Sequence, residues 1–198
     1  AMATEKTYDM MVRMSAPFGA TGIGSFAVSG IDLALWDLKG KLLGRPVYEL
    51  IGGPSKDELF CYSTGADTDW YLELGFKATK LPCPCGPADG LDGLQKNVEL
   101  VARTRQLTGD GVELMLDCWM AFDIEYAVRL AEELRPYKLK WMEECLRTED
   151  FDAHAEFRRR VPWQTLATGE HWFTTPPFQH AVSRRLVDIL QPDIQWVG

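Results

Sequence analysis

A chain of 198 residues with ordinary apolar and charged fractions is long enough to bury one large core. Its net charge of −8 argues against a nucleic-acid partner, because phosphate binding needs a basic patch and the longest basic run is Arg158-Arg159-Arg160. No stretch is apolar for long enough to span a membrane and no secretion signal opens the chain, so a cytoplasmic protein without a membrane partner is expected. The five cysteines are Cys61, Cys83, Cys85, Cys118 and Cys145. They include no C-x-x-C pair, and all five are read as reduced thiols rather than zinc ligands or disulfides.

Residues 1–23 are Gly-rich and show no clear period. In "SFAVSGIDLALWDLKGKLLG", Ala27, Ile31, Ala34, Leu35, Leu38 and Leu42 follow helical spacing, and Gly44 and Pro46 stop the pattern. "VYELIGGP" reads as a short helical turn. From Leu59 a repeat sets in. "LFCYS" is strand one, with a short helix over 68–74. "FKATKL" (76–81) is strand two, opening into the Pro/Gly-dense "PCPCGPADG", which can be neither helix nor central strand.

A long helix is predicted from about Leu91 to Leu107, stopped by Gly109. "VELMLD" is strand three, and its helix covers 123–134 with Asp123 as N-cap. "LKWMEE" is strand four with a helix over 151–160, "TLATGE" strand five with a helix near 176–184, and "VDILQPD" strand six. Strands alternating with helices at this interval indicate α/β architecture, here a partial (β/α) TIM-type barrel of about six parallel strands. A full eight-fold barrel takes roughly 250 residues, and the stretch 59–198 falls well short of that. The expected division is 1–58 as the tail of a front domain with its linking helix, and 59–198 as the incomplete barrel.

Four acids recur 23 to 27 residues apart: Asp117, Glu143, Glu170 and Asp193. Each follows an apolar run read as a strand, which puts all four at the C-terminal strand ends where such barrels carry their chemistry. A single acid there is most often a helix N-cap. Several brought to one mouth repel each other unless a cation lies between them, and hard oxygen donors favour Mg²⁺.

The ordered set "GIDLALWDLKGKLLGRPVYELIGG", "LMLDCWM", "LKWMEECL", "TGEH" and "DILQPDIQWVG" resembles the enolase superfamily, in its mandelate racemase and muconate-lactonizing branch. Within that branch, "DCWM" and "EECL" lean toward the L-rhamnonate dehydratases. Trp119 stands where the wider branch more often has Asn, and Cys145 where it has Pro.

The resemblance implies that Asp117, Glu143 and Glu170 bind Mg²⁺, which would chelate the carboxylate of a small-molecule sugar acid. A base would take the proton alpha to that carboxylate, and loss of the neighbouring hydroxyl would give a 2-keto-3-deoxy acid. Relatives with a strand-two base use K-x-K. Here Lys80 is present but the second position is Pro82, so Lys80 is either a substrate-supporting group or an ordinary barrel lysine. Asp193 matches the Asp of a His–Asp dyad whose His would follow one strand later, beyond Gly198. Of the histidines present, His171 adjoins Glu170 and could touch substrate, whereas His154 and His180 fall in predicted helices. The family's remaining front domain and last strands are expected to be missing, leaving the isolated chain inactive and, with open sheet edges, a homo-oligomer. The competing readings are a racemase, epimerase or cycloisomerase of the same superfamily, and a non-catalytic barrel that binds metal or a partner.

Overall fold

The computed structural model describes residues 2–19 and 21–198. The elements in chain order are α1 (Thr4–Ser15), a 3-10 turn (Ala16–Phe18), α2 (Ile23–Leu43), α3 (Val47–Leu50), β1 (Ser63–Thr64), α4 (Thr68–Glu73) and β2 (Ala78–Pro82). A 3-10 turn (Pro87–Asp89) leads into α5 (Gly90–Thr108). Then follow β3 (Glu113–Asp117), α6 (Ile124–Leu134), a 3-10 turn (Arg135–Tyr137), β4 (Met142–Glu143), α7 (Phe151–Arg160), β5 (Leu166–Thr168), α8 (Thr175–Arg184), β6 (Ile189–Leu190) and α9 (Ile194–Val197). The six strands form one sheet in the order β1-β2-β3-β4-β5-β6, every pair parallel. The α/β partial barrel read from the sequence is therefore the observed fold.

The chain forms two compact units. One holds Phe60–Gly169 and His180–Leu190; the other holds the segment through Leu59 together with Glu170–Gln179 and Gln191–Gly198.

The strand-bearing unit is built on alternation. Successive strand residues point to opposite faces of a sheet. Leu81, Leu114, Leu116, Met142 and Leu166 take the outer face and join the main core with Val101 of α5, Leu130 and Leu134 of α6 and Phe157 of α7. Burying each such side chain stabilises the fold by about 1.5–3 kcal/mol. Ala78, Met115, Trp141 and Ala167 take the inner face, where they form a smaller cluster with Ile189 packed against it. The helices start where the sequence supplies an acceptor. Asp123 caps α6 by accepting from the Tyr126 N–H at 2.8 Å, and Asp150 caps α7 from the Ala153 N–H at 2.9 Å. Arg158, Arg159 and Arg160 close α7, and Arg160 pairs with Glu125 on α6.

In the other unit, the C-terminal carbonyls of α9 are satisfied by hydroxyls from two helices. Ser25 Oγ donates to the Trp196 carbonyl at 2.6 Å, Ser29 Oγ to that of Gln195 at 2.7 Å, and Tyr8 Oη to that of Val197 at 2.6 Å. These are groups that a helix end leaves without intrahelical partners.

Three sequence expectations are corrected. Residues 1–23 show no clear period in the sequence, but Thr4–Ser15 is helical. Met10 and Met14 are exposed and Tyr8, Met11 and Val12 only half-buried, so no fully buried apolar stripe marks it. The helix at 23–43 exists, but its buried face is Ser25, Val28, Ser29, Asp32 and Gly40, while Ile31, Leu38 and Leu42 are exposed. This helix carries apolar residues on nearly every face, so spacing alone could not select the packed one. Finally, strands are shorter than the runs read from the sequence, at the edges (Ser63–Thr64 against "LFCYS", Ile189–Leu190 against "VDILQPD") and inside the sheet (Met142–Glu143 against "LKWMEE"), and Leu59 and Phe60 are solvent-exposed. At the two edges, an apolar run does not by itself continue the pairing.

Candidate metal centre

Register and alternation together assemble the site. Asp117 is the last residue of β3, Glu143 the last of β4, and the two are directly paired across the ladder. Both lie on the inner face, two residues beyond Met115 and Trp141 respectively. Lys80 is on the same face of β2, in register with Met115, so its long side chain runs up the strand toward the two acids. Its Nζ lies 2.9 Å from Asp117 Oδ2 and donates to Glu143 Oε1. Glu143 is completely buried and its other oxygen, Oε2, accepts from the Trp141 indole N–H at 2.8 Å. Asp117 is partly open, with Oδ1 accepting from the Trp119 backbone N–H at 3.2 Å.

Burial alone would push the Lys80 ammonium down, but the hydrogen bonds and charges of Glu143 and Asp117 outweigh it and hold it above the ordinary lysine range. Lys80 is therefore charged at every physiological pH. The Tyr62 ring, 6.0 Å from Nζ and 5.5 Å from the Trp141 ring, walls this side.

The backbone beyond the two strand ends is strained. Trp119, Met120 and Glu144 all adopt positive φ, a conformation that costs non-glycine residues on the order of 1 kcal/mol or more and gathers at functional sites. Cross-loop bonds hold it in place: Met120 N–H to the Glu144 carbonyl at 2.5 Å and Phe122 N–H to that of Cys145 at 3.0 Å. The strand-end loops are thus tied to one another directly beyond the carboxylates.

Glu170, His171 and Asp193 lie in the other compact unit, whereas His154 and His180 belong to the strand-bearing one. Glu170 is half-buried, two residues past β5, and the neighbouring His171 Nδ1 is 3.7 Å from its Oε1. The His171 ring lies 5.0 Å from that of Trp196. Asp193 is the N-cap of α9, accepting from the Gln195 N–H at 2.7 Å. His154 is buried in α7 with Nδ1 2.8 Å from the Asp150 carbonyl, and His180 is exposed on α8.

The cysteines are free thiols, as expected. Cys118 and Cys145 belong to the outer core, 3.8 Å apart. Burial, with Cys145 and Cys83 alongside, pushes the Cys118 thiol well above its usual range, which suits an inert packing role.

Sequence reasoning missed Trp141 as a partner of Glu143. The signal was present: the two are two residues apart on one strand, and so on one face. It also missed the strained positions, which no residue type at 119, 120 or 144 announces.

A divalent cation fits the donors in this unit. Asp117 and Glu143 are adjacent hard anionic groups, already held against one positive charge, with the nearby thiols turned to the opposite face of the sheet.

Comparison with known proteins agrees with this architecture. Residues 66–198 match the family described as enolase C-terminal domain-like, and residues 3–52 the mandelate racemase / muconate lactonizing enzyme N-terminal domain. The L-rhamnonate dehydratase of Saccharopolyspora erythraea is 44% identical over 195 residues, which is 98% of this chain and 50% of that protein. The crystal structure of rhamnonate dehydratase from Gibberella zeae complexed with Mg superposes with a TM-score of 0.94 at 38% identity, covering 99% of this chain and 48% of the other. The 3,6-anhydro-D-galactonate cycloisomerase from Zobellia galactanivorans gives 0.91 at 30% identity, covering 99% and 56%. The chain spans about half the length of the curated relatives it matches. With two family models in the expected order, together spanning most of its length, the chain belongs to the mandelate racemase / muconate lactonizing branch of the enolase superfamily.

Proposed function

We propose that Asp117 and Glu143 hold Mg²⁺, the ion that the family resemblance assigns to them and to Glu170, and that the chain is the metal-binding portion of a sugar-acid dehydratase acting on L-rhamnonate or a close analogue. The observation that carries this reading is the in-register Asp117–Glu143 pair, with Glu143 fully buried, closed by Lys80. It is supported by 44% identity to a protein named L-rhamnonate dehydratase. When bound, the cation would supply the fixed positive charge that stabilises a substrate carboxylate as the proton alpha to it leaves.

The chain's own groups take distinct parts in this proposal. Asp117 and Glu143 form the anionic cradle, and the Trp141 indole N–H keeps Glu143 Oε2 oriented. Lys80 offers a second positive charge for an anionic substrate. Pro82 has no titratable group, so strand two supplies no base at that position. His171, beside Glu170, is the group assigned to touch substrate, and Asp193 is the acid that would orient a dyad histidine. The small-molecule sugar acid is the expected partner, along with further copies of the chain across the open sheet edges. The expected setting is the cytoplasm.

A cycloisomerase reading draws on the likeness to the Zobellia enzyme, and the lower identity places it second. Calorimetry tests the main reading. Mg²⁺ is expected to bind the wild-type chain and to fail with Asp117→Asn, and L-rhamnonate is expected to bind only in the presence of Mg²⁺. Metal-independent L-rhamnonate binding, or unchanged Mg²⁺ affinity in Asp117→Asn, would overturn it. Where turnover is seen, a 2-keto acid product supports the dehydratase, and a product that retains all its oxygens supports the cycloisomerase.

A further inference from the structure

We propose that Lys80 is the built-in counter-cation of the metal-free state, and that a divalent ion enters by displacing its ammonium from between Asp117 and Glu143. This rests on the reading of those two carboxylates as metal ligands.

The geometry sets up a competition. Nζ is 2.9 Å from Asp117 Oδ2 and hydrogen-bonded to Glu143 Oε1, so it already bridges one oxygen of each acid. A divalent ion held by these two carboxylates would need the space that Nζ occupies between them. Two positive centres sharing that space repel strongly in a site where Glu143 and Lys80 are both buried. Occupancy of the space between these two oxygens by one cation at a time is the favourable arrangement.

Displacement leaves the lysine charged. Its four-carbon stem is flexible, and an ammonium driven off the carboxylates can swing toward the Tyr62 ring, whose face attracts cations. Lys80 thereby has two duties. Without metal it prevents two adjacent carboxylates, one fully buried and one partly open, from repelling each other, and with metal it becomes a positive charge beside the ion, placed to meet an anionic ligand.

The test measures Mg²⁺ affinity by calorimetry and melting temperature with and without chelator, in wild type, Lys80→Met and Lys80→Gln. Both variants are neutral, and Gln keeps a hydrogen-bond donor in case Met does not fold. The expected result is Mg²⁺ affinity raised about tenfold or more in either variant. The metal-free melting temperature should fall, and Mg²⁺ should recover most of the difference. A measurement on the unaltered protein runs beside this: the ¹⁵Nζ resonance of Lys80 should shift on Mg²⁺ addition, while those of exposed lysines stay in place.

Unchanged or weaker Mg²⁺ affinity in both variants, with Asp117→Asn still abolishing binding, would overturn the competition and leave the metal reading intact. An unmoved Lys80 resonance at saturating Mg²⁺ would also overturn it. Absence of Mg²⁺ binding in wild type and variants alike would remove both the metal reading and this inference.

Discussion

Glu143→Gln is the substitution that most directly probes the buried charge cluster. Glutamine keeps the shape of the side chain and one oxygen for the Trp141 indole, so the change is one of charge. Removing one partner of a buried ion pair costs about 3–5 kcal/mol, because the other charge is left uncompensated. Here Lys80 keeps Asp117 at 2.9 Å, and the Asp117 side chain is 18% exposed, so water shares the load. We therefore expect a smaller loss, about 2–3 kcal/mol. For a chain of this size each kcal/mol moves the melting temperature by about 2–4 °C, which puts the expected drop at roughly 4–12 °C.

Differential scanning calorimetry of the metal-free protein at neutral pH gives the number. It should survive high salt, since a buried pair is poorly screened. Combining Glu143→Gln with Lys80→Met closes a double-mutant cycle, with an expected coupling of about 1–3 kcal/mol. A melting temperature within about 1 °C of wild type, or a strictly additive cycle, would refute the argument that these groups stabilise each other.

Other substitutions test the frame that holds the site. Phe157→Ala empties a fully buried position between α7 and the sheet and should cost about 3–5 kcal/mol in urea unfolding; a loss under about 1 kcal/mol would show that the core is not packed as described. Asp123→Ala removes the α6 cap and should cost about 1 kcal/mol, whereas Asp123→Asn should be nearly neutral. Burial holds His154 below the usual histidine range. The unfolded chain then takes up a proton near about 6.5 while the fold does not, so stability is full above that pH and declines as the pH falls toward the folded value. His154→Gln should flatten this decline, and a wild-type stability that is constant from neutral to mildly acidic pH would count against it. Among the described residues β1 and β6 are open edges, so light scattering after size exclusion should show concentration-dependent association; a strict monomer at all concentrations would contradict this.

The sequence by itself determined the α/β repeat, the order of the strands and, for β3, the residue that ends it, Asp117. Apolar runs ending in Asp117 and Glu143, each followed by an acid-capped amphipathic helix, are local patterns, and local patterns survive without a fold. Period-two alternation also fixed that Lys80, Asp117 and Glu143 could share a face, given parallel register. Three things required tertiary structure. One was the register itself, which turned two acids in separate repeats into neighbours and brought a lysine from a third strand between them. Another was the packed side of α2, because a helix apolar nearly all round carries no directional signal and its small polar face was chosen by the carbonyls of α9. The last was the extent of the edge strands. Pairing depends on what lies alongside, and a run such as "LFCYS" enters the ladder only with its last residue, Ser63, where β2 meets it, the pairing continuing to Thr64.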